Sequence, residues 1–138
     1  GEADLALELY TQPDYPGFGF MFANGATTLW EQWAANGPMH SHNHAFFAGA
    51  ATFLYTPLAG IRPAASGFGA VEIAPQPGSL KFIRAAMPTP KGLASVDLQF
   101  KDGMACGRVE MPEGLPGTFL WQGRRIPLKS GENIIETE

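Results

Sequence analysis

Cationic side chains are almost missing from the first 62 residues, where Arg62 is the sole lysine or arginine. The whole chain of 138 residues carries 9 basic and 13 acidic groups, a formal net charge of −4. That acidic balance, with the cations scattered, excludes the basic face a nucleic-acid binder presents. Cysteine occurs once, at Cys106, so no internal disulfide forms and no cysteine-based zinc cluster can be anchored. No apolar run reaches the roughly 18 residues a membrane-spanning helix needs, so no membrane partner is expected. The opening Gly1-Glu2-Ala3-Asp4 has neither the basic nor the apolar region of a signal peptide. Glycine (17) and proline (12) make up about a fifth of the chain, below the disordered range and in keeping with a turn-rich globular fold.

What is present divides unevenly. Only 6 of the first 62 positions are charged, and 11 of the 16 aromatic residues lie there, as do all three histidines. Residues 63–138 carry 8 acidic and 8 basic groups and only five aromatics. A segment this apolar is hard to keep at the surface of a free domain. It predicts two domains, 1–62 and 63–138, with the first buried in something larger: the chain is a fragment of a longer protein or one piece of a nicked one. The alternative is a homo-oligomer that buries the segment at its interface.

In the first part, Ala3 to Leu9 reads as the end of a helix stopped by Gln12-Pro13. Tyr15 to Ala23, rich in Pro, Gly and Phe, reads as an ordered loop, and Thr28 through Trp33 as a helix start. Asn43 through Leu58 is apolar on nearly all sides, with small residues at Ala45, Ala48, Gly49, Ala50 and Ala51, the pattern of a buried helix ended by Pro57. After Pro63, short alternating runs separated by turn signals predict strands at 70–74, 80–87, 93–100, 105–111, 117–121, 124–128 and 133–136. Asp102-Gly103 between two such runs is a hairpin signal. About seven strands at regular spacing indicate a β-sandwich.

Three stretches could carry chemistry. Glu31 is the only carboxylate between Asp14 and Glu72, and Trp30 and Trp33 flank it. Partial desolvation beside indoles tends to raise a carboxyl pKa and suits general acid/base work. Tryptophan faces also stack on sugar rings. Against this, Thr28-x-x-Glu31 is a capping-box pattern, with Thr28 as N-cap and Glu31 bonded to its own helix. The second stretch is His40-Ser41-His42-Asn43-His44, whose alternate histidines could share a face and bind a metal. No cysteine accompanies them, however. The competing readings are a structural role, with Asn43 capping the following helix and His44 in its first turn, or a ligand contact from His44. The third is Tyr15-Pro16-Gly17-Phe18-Gly19-Phe20-Met21, whose aromatics could wall a cleft or pack on the core. In the second part, Trp121 ahead of Gln122-Gly123 is the one candidate stacking platform.

Taken in order, the stretches Tyr15–Met21, Gly25-Ala26-Thr27-Thr28-Leu29-Trp30-Glu31, Ser41-His42-Asn43-His44 and Leu58-Ala59-Gly60-Ile61 resemble the end of the bacterial α-L-rhamnosidases of glycoside hydrolase family 78. Gly-Ala-Thr-Thr-x-Trp-Glu is the most specific of them. The likeness covers about the first 62 residues closely, and the rest is similar to the family's C-terminal β-sandwich. It implies an α+β, multidomain fragment: the last helices of an (α/α)6 barrel followed by an antiparallel β-sandwich. The implied activity is inverting hydrolysis of terminal α-L-rhamnose from glycosides or polysaccharides, with no cofactor. Glu31 then corresponds to the general base, His44 to a histidine contacting the bound rhamnose, and Trp30 to a support for the base. The family's general acid lies upstream, and no residue here matches its motif, so this chain alone is expected to be inactive. The stretch between Glu31 and Ser41 is short and uncharged, which predicts a cleft rim unlike that of other members. Two other readings remain open: a non-catalytic carbohydrate-binding module, or another α/α-barrel glycosidase or polysaccharide lyase, since a fold does not fix a chemistry.

Overall fold

The computed structural model describes residues 2–38 and 41–137; His40 lies outside this range. The chain divides into two compact units, Gly1–Phe53 and Leu54–Glu138.

The first unit is helical. Helix α1 spans Ala3–Thr11 and is built from strong helix formers. It stops at Gln12, whose backbone turns extended ahead of Pro13, while its N–H still donates to Glu8 O at 2.8 Å. Tyr15 to Ala23 is not wholly a loop: α2 spans Phe18–Ala23. The glycines that suggest a loop serve helix packing instead. A Cβ on Gly19 would lie 2.3 Å from Gln12 O and 2.6 Å from Thr11 O, so only glycine lets α2 approach the end of α1 this closely. Phe18, Met21 and Trp30 form the buried centre, with Tyr10, Trp33 and Phe47 packed around it. Tyr10 and Phe18 stack at 5.0 Å, and Trp33 and Phe47 meet at 4.3 Å. The Tyr10 hydroxyl donates to Ala50 O, and burial pushes its pKa up from the ordinary tyrosine value.

Two further expectations fail here. Thr28 through Trp33 starts no helix, because its backbone groups pair elsewhere: His44 N–H donates to Leu29 O and Glu31 N–H to Ser41 O, each at 2.9 Å. The run 43–58 is not one buried helix. It begins at Ala45, with His44 rather than Asn43 as the N-cap, and α3 ends at Ala48. After it come α4, Ala51–Phe53, and a π-helical turn, Leu54–Leu58, with Pro57 inside. Gly49 interrupts the ladder, and Ala50, Thr52 and Phe53 donate three residues back in tighter bonds. No residue of α3 or α4 is buried, and Phe46 is 76% exposed. Within this unit too few neighbouring elements exist to cover the helix on all sides.

The second unit is a sandwich of two four-stranded sheets. Its strands are β1 Ile61–Pro63, β2 Val71–Ile73, β3 Phe82–Thr89, β4 Gly92–Lys101, β5 Met104–Met111, β6 Gly117–Trp121, β7 Arg124–Leu128 and β8 Gly131–Glu136. One sheet runs β3-β4-β5-β8, antiparallel throughout; the other runs β1-β2-β6-β7 and is antiparallel except for the β2–β6 pair. All seven expected runs are strands, and β1 is an eighth. Period-two alternation sends Val96, Leu98, Phe100, Val109 and Met111 of one sheet inward, with Val71, Ile73 and Phe119 of the other. The sheets meet closely where Met111 Cε sits 2.6 Å from where a Cβ on Gly117 would be. The hairpin at Asp102-Gly103 forms as expected, with both residues at positive φ (52° and 79°) as its tight turn requires.

Candidate active site

Within the first unit, two segments outside helix and strand are bonded to each other. Residues 28–31 meet residues 41–44 through main-chain bonds from Glu31 N–H to Ser41 O and from His44 N–H to Leu29 O, 2.9 Å each. The Thr28 hydroxyl adds a bond to His42 O. The Glu31 carboxylate caps no helix. Its Oε2 accepts the Ser41 N–H at 2.9 Å and lies 3.9 Å from His44 Nδ1. Both side chains stay partly open to solvent, at 37% for Glu31 and 40% for His44. The capping-box reading of Thr28-x-x-Glu31 is therefore overturned, since both side chains turn to the second segment.

This arrangement suits proton transfer. A carboxylate held by a main-chain donor keeps a fixed direction while one face meets water, and an imidazole beside it can donate to, or accept from, a bound hydroxyl.

The remaining residues sort clearly. Trp30 is 5% exposed and belongs to the packed centre, so in this unit its ring supports the loop from beneath and offers no open stacking face. Trp33 packs on Phe18 and Phe47 in the same layer. His42 turns from His44: its ring lies 5.4 Å from Trp30, and its Nε2 is 3.4 Å from Ala35 O. Among the described residues, no group of three His, Cys, Asp or Glu side chains could hold a metal ion. In the second unit, Trp121 stacks one face on Phe100 at 5.4 Å and donates its indole N–H to Gly103 O at 3.0 Å, so it closes the end of the sandwich. Sequence reasoning missed two contributors. The Ser41 amide leaves no signature in a side-chain pattern, and Thr28 carried a misleading one, that of an N-cap.

Two sequence profiles of one enzyme family match along the chain. The bacterial alpha-L-rhamnosidase 6 hairpin glycosidase domain matches residues 1–58, and the bacterial alpha-L-rhamnosidase C-terminal domain matches residues 60–120. The chain belongs to the bacterial α-L-rhamnosidase family. An alpha-L-rhamnosidase of Formosa agariphila is 32% identical over 143 residues, covering 97% of this chain and 15% of that protein. The solved alpha-L-rhamnosidase from Dictyoglumus thermophilum superposes with a TM-score of 0.73 at 33% identity, over 82% of this chain and 13% of its own. That of Streptomyces avermitilis, solved with L-rhamnose, shares the fold at a TM-score of 0.81 and 24% identity, over 96% of this chain and 16% of its own. The rhamnosidase-family chain described here thus spans about a seventh of the length of these relatives, and its mixed helical and sheet architecture matches part of theirs.

Proposed function

We propose that the chain is the C-terminal part of an α-L-rhamnosidase that removes terminal α-L-rhamnose from glycosides or polysaccharides with inversion, and that Glu31 is its general base. The residues that precede β1 belong to the barrel that forms the sugar cleft, and those from Ile61 onward to the sandwich. One observation carries the reading: the Glu31 carboxylate is aimed by the Ser41 N–H at 2.9 Å with His44 Nδ1 3.9 Å away, and both residues lie in the stretch that matches the family's glycosidase domain.

In this reaction Glu31 takes a proton from a water molecule, and the oxygen attacks the anomeric carbon opposite the leaving group. The glycosidic bond breaks, and a carboxylic acid on the other face protonates the departing oxygen. Inversion places the two carboxyl groups about 6.5–9.5 Å apart, which leaves room for the water. The acid comes from sequence upstream of this chain. His44 contacts a hydroxyl of the bound rhamnose, and Trp30 supports the loop that carries Glu31.

The test is Glu31→Gln in the full-length protein. The expected result is a loss of about 10²–10⁴ in kcat, with the wild-type enzyme releasing the anomer opposite to that of the substrate, read by NMR. Activity within a few-fold of wild type would remove Glu31 from the mechanism.

A further inference from the structure

Among the bonds that join the two site segments, four bear on the Glu31–His44 pair. Three of them run from main chain to main chain or to the Glu31 carboxylate itself: Glu31 N–H to Ser41 O, Ser41 N–H to Glu31 Oε2, and His44 N–H to Leu29 O. The fourth depends on a single hydroxyl, that of Thr28, which donates to His42 O. His42 lies between the two residues whose amides complete the ladder, Ser41 and His44. Fixing its carbonyl therefore sets where both amides fall.

We propose that Thr28 is a positioning residue for the Glu31–His44 pair. It acts through the His42 carbonyl, not on substrate. Its hydroxyl holds residues 41–44 where the Ser41 N–H meets the Glu31 carboxylate and the His44 ring stays beside it. A role in capping is excluded by the structure, because no helix starts at Thr28. The consequence for the reaction rests on the assignment of Glu31 as base. A shift of about 1 Å in a catalytic group is enough to cost on the order of a hundredfold in rate.

The experiment compares Thr28→Val, which swaps the hydroxyl for a methyl of similar shape, with Thr28→Ser, which keeps the donor. In the 138-residue chain, amide hydrogen exchange at Ser41 and His44 should quicken by about tenfold or more in the valine variant and stay near wild type in the serine variant. In the full-length protein, the valine variant should lose about tenfold or more in kcat, with KM held within about threefold, and serine should restore the rate. Unchanged exchange in Thr28→Val overturns the proposal, as does faster exchange with an unchanged kcat in a protein that Glu31→Gln inactivates. If Glu31→Gln leaves activity intact while Thr28→Val still quickens exchange, the base assignment falls and the clamp stands. Should the valine variant fail to fold, Thr28→Ala read against Thr28→Ser by the same exchange measurement decides the matter.

Discussion

At the scale of the residue, Glu72, on β2, is held between two arginines of the second unit. Its Oε1 accepts from Arg62 Nε at 3.0 Å and its Oε2 from Arg125 at 3.2 Å, with its side chain only 14% exposed. The Arg62 guanidinium, by hydrogen bond and charge, holds the carboxyl below its ordinary value of 4.5, against the opposing effect of burial; Arg125 adds to the lowering. A carboxyl whose pKa is depressed by folding contributes stability above its unfolded pKa, and that contribution is lost as pH falls through the folded value. Urea midpoints of the wild-type chain should therefore fall as pH drops from neutral to below the usual carboxylate range. Glu72→Gln should lower the neutral-pH midpoint and flatten that acid slope. A variant with the same slope as wild type would show that the pairing contributes nothing to acid sensitivity. The arginines themselves stay largely in solvent, which limits the effect.

At the scale of the element, Gly19 is the critical contact of the first unit, because the backbone atoms of Thr11 and Gln12 occupy the space where a side chain would begin. Gly19→Ala should push α2 off α1 and destabilise the unit by about 1–3 kcal/mol, seen as a lower midpoint in tryptophan fluorescence. The same glycine explains why α2 was illegible: Gly-Phe-Gly reads as an ordered loop until its packing partner is known. Strands were legible for the converse reason. Alternation such as Ser95-Val96-Asp97-Leu98-Gln99-Phe100 needs only one buried face to be decoded, and Asp102-Gly103 marks its own turn. At three residues, β1 is too short to show a period, and the parallel pairing of β2 with β6 depends on partners far apart in sequence. For the site, Glu31 and His44 stand out by residue type, isolation and family likeness. The bonds that join them reach the main chain across ten or more positions, which side-chain patterns do not encode, and a Thr-x-x-Glu spacing fits a helix cap and a pair of bonded loop segments equally well.

At the scale of the whole molecule, the two units differ in how much they bury. Among the described residues, four apolar side chains are buried in the first unit, Ala3, Phe18, Met21 and Trp30, against seventeen in the second. Burial of this kind is the main favourable term in folding. Residues 54–138 expressed alone should thus show a single cooperative urea transition, whereas residues 1–53 alone should melt broadly. A sharp transition in the shorter piece would contradict this account. The uneven composition of the sequence foreshadowed that difference, since the charge-poor, aromatic-rich part is the one left with exposed apolar groups such as Leu5, Phe22 and Phe46. The ladder between residues 28–31 and 41–44 has a separate consequence. The connection from Glu31 to Ser41 is pinned at its two ends by amides and carbonyls, groups that every residue except proline supplies in full. Apart from Trp33, whose ring packs on Phe18 and Phe47, its side chains can vary while the Glu31 carboxylate and the His44 imidazole keep their spacing. A designer could exchange residues there around a fixed pair of carboxylate and imidazole.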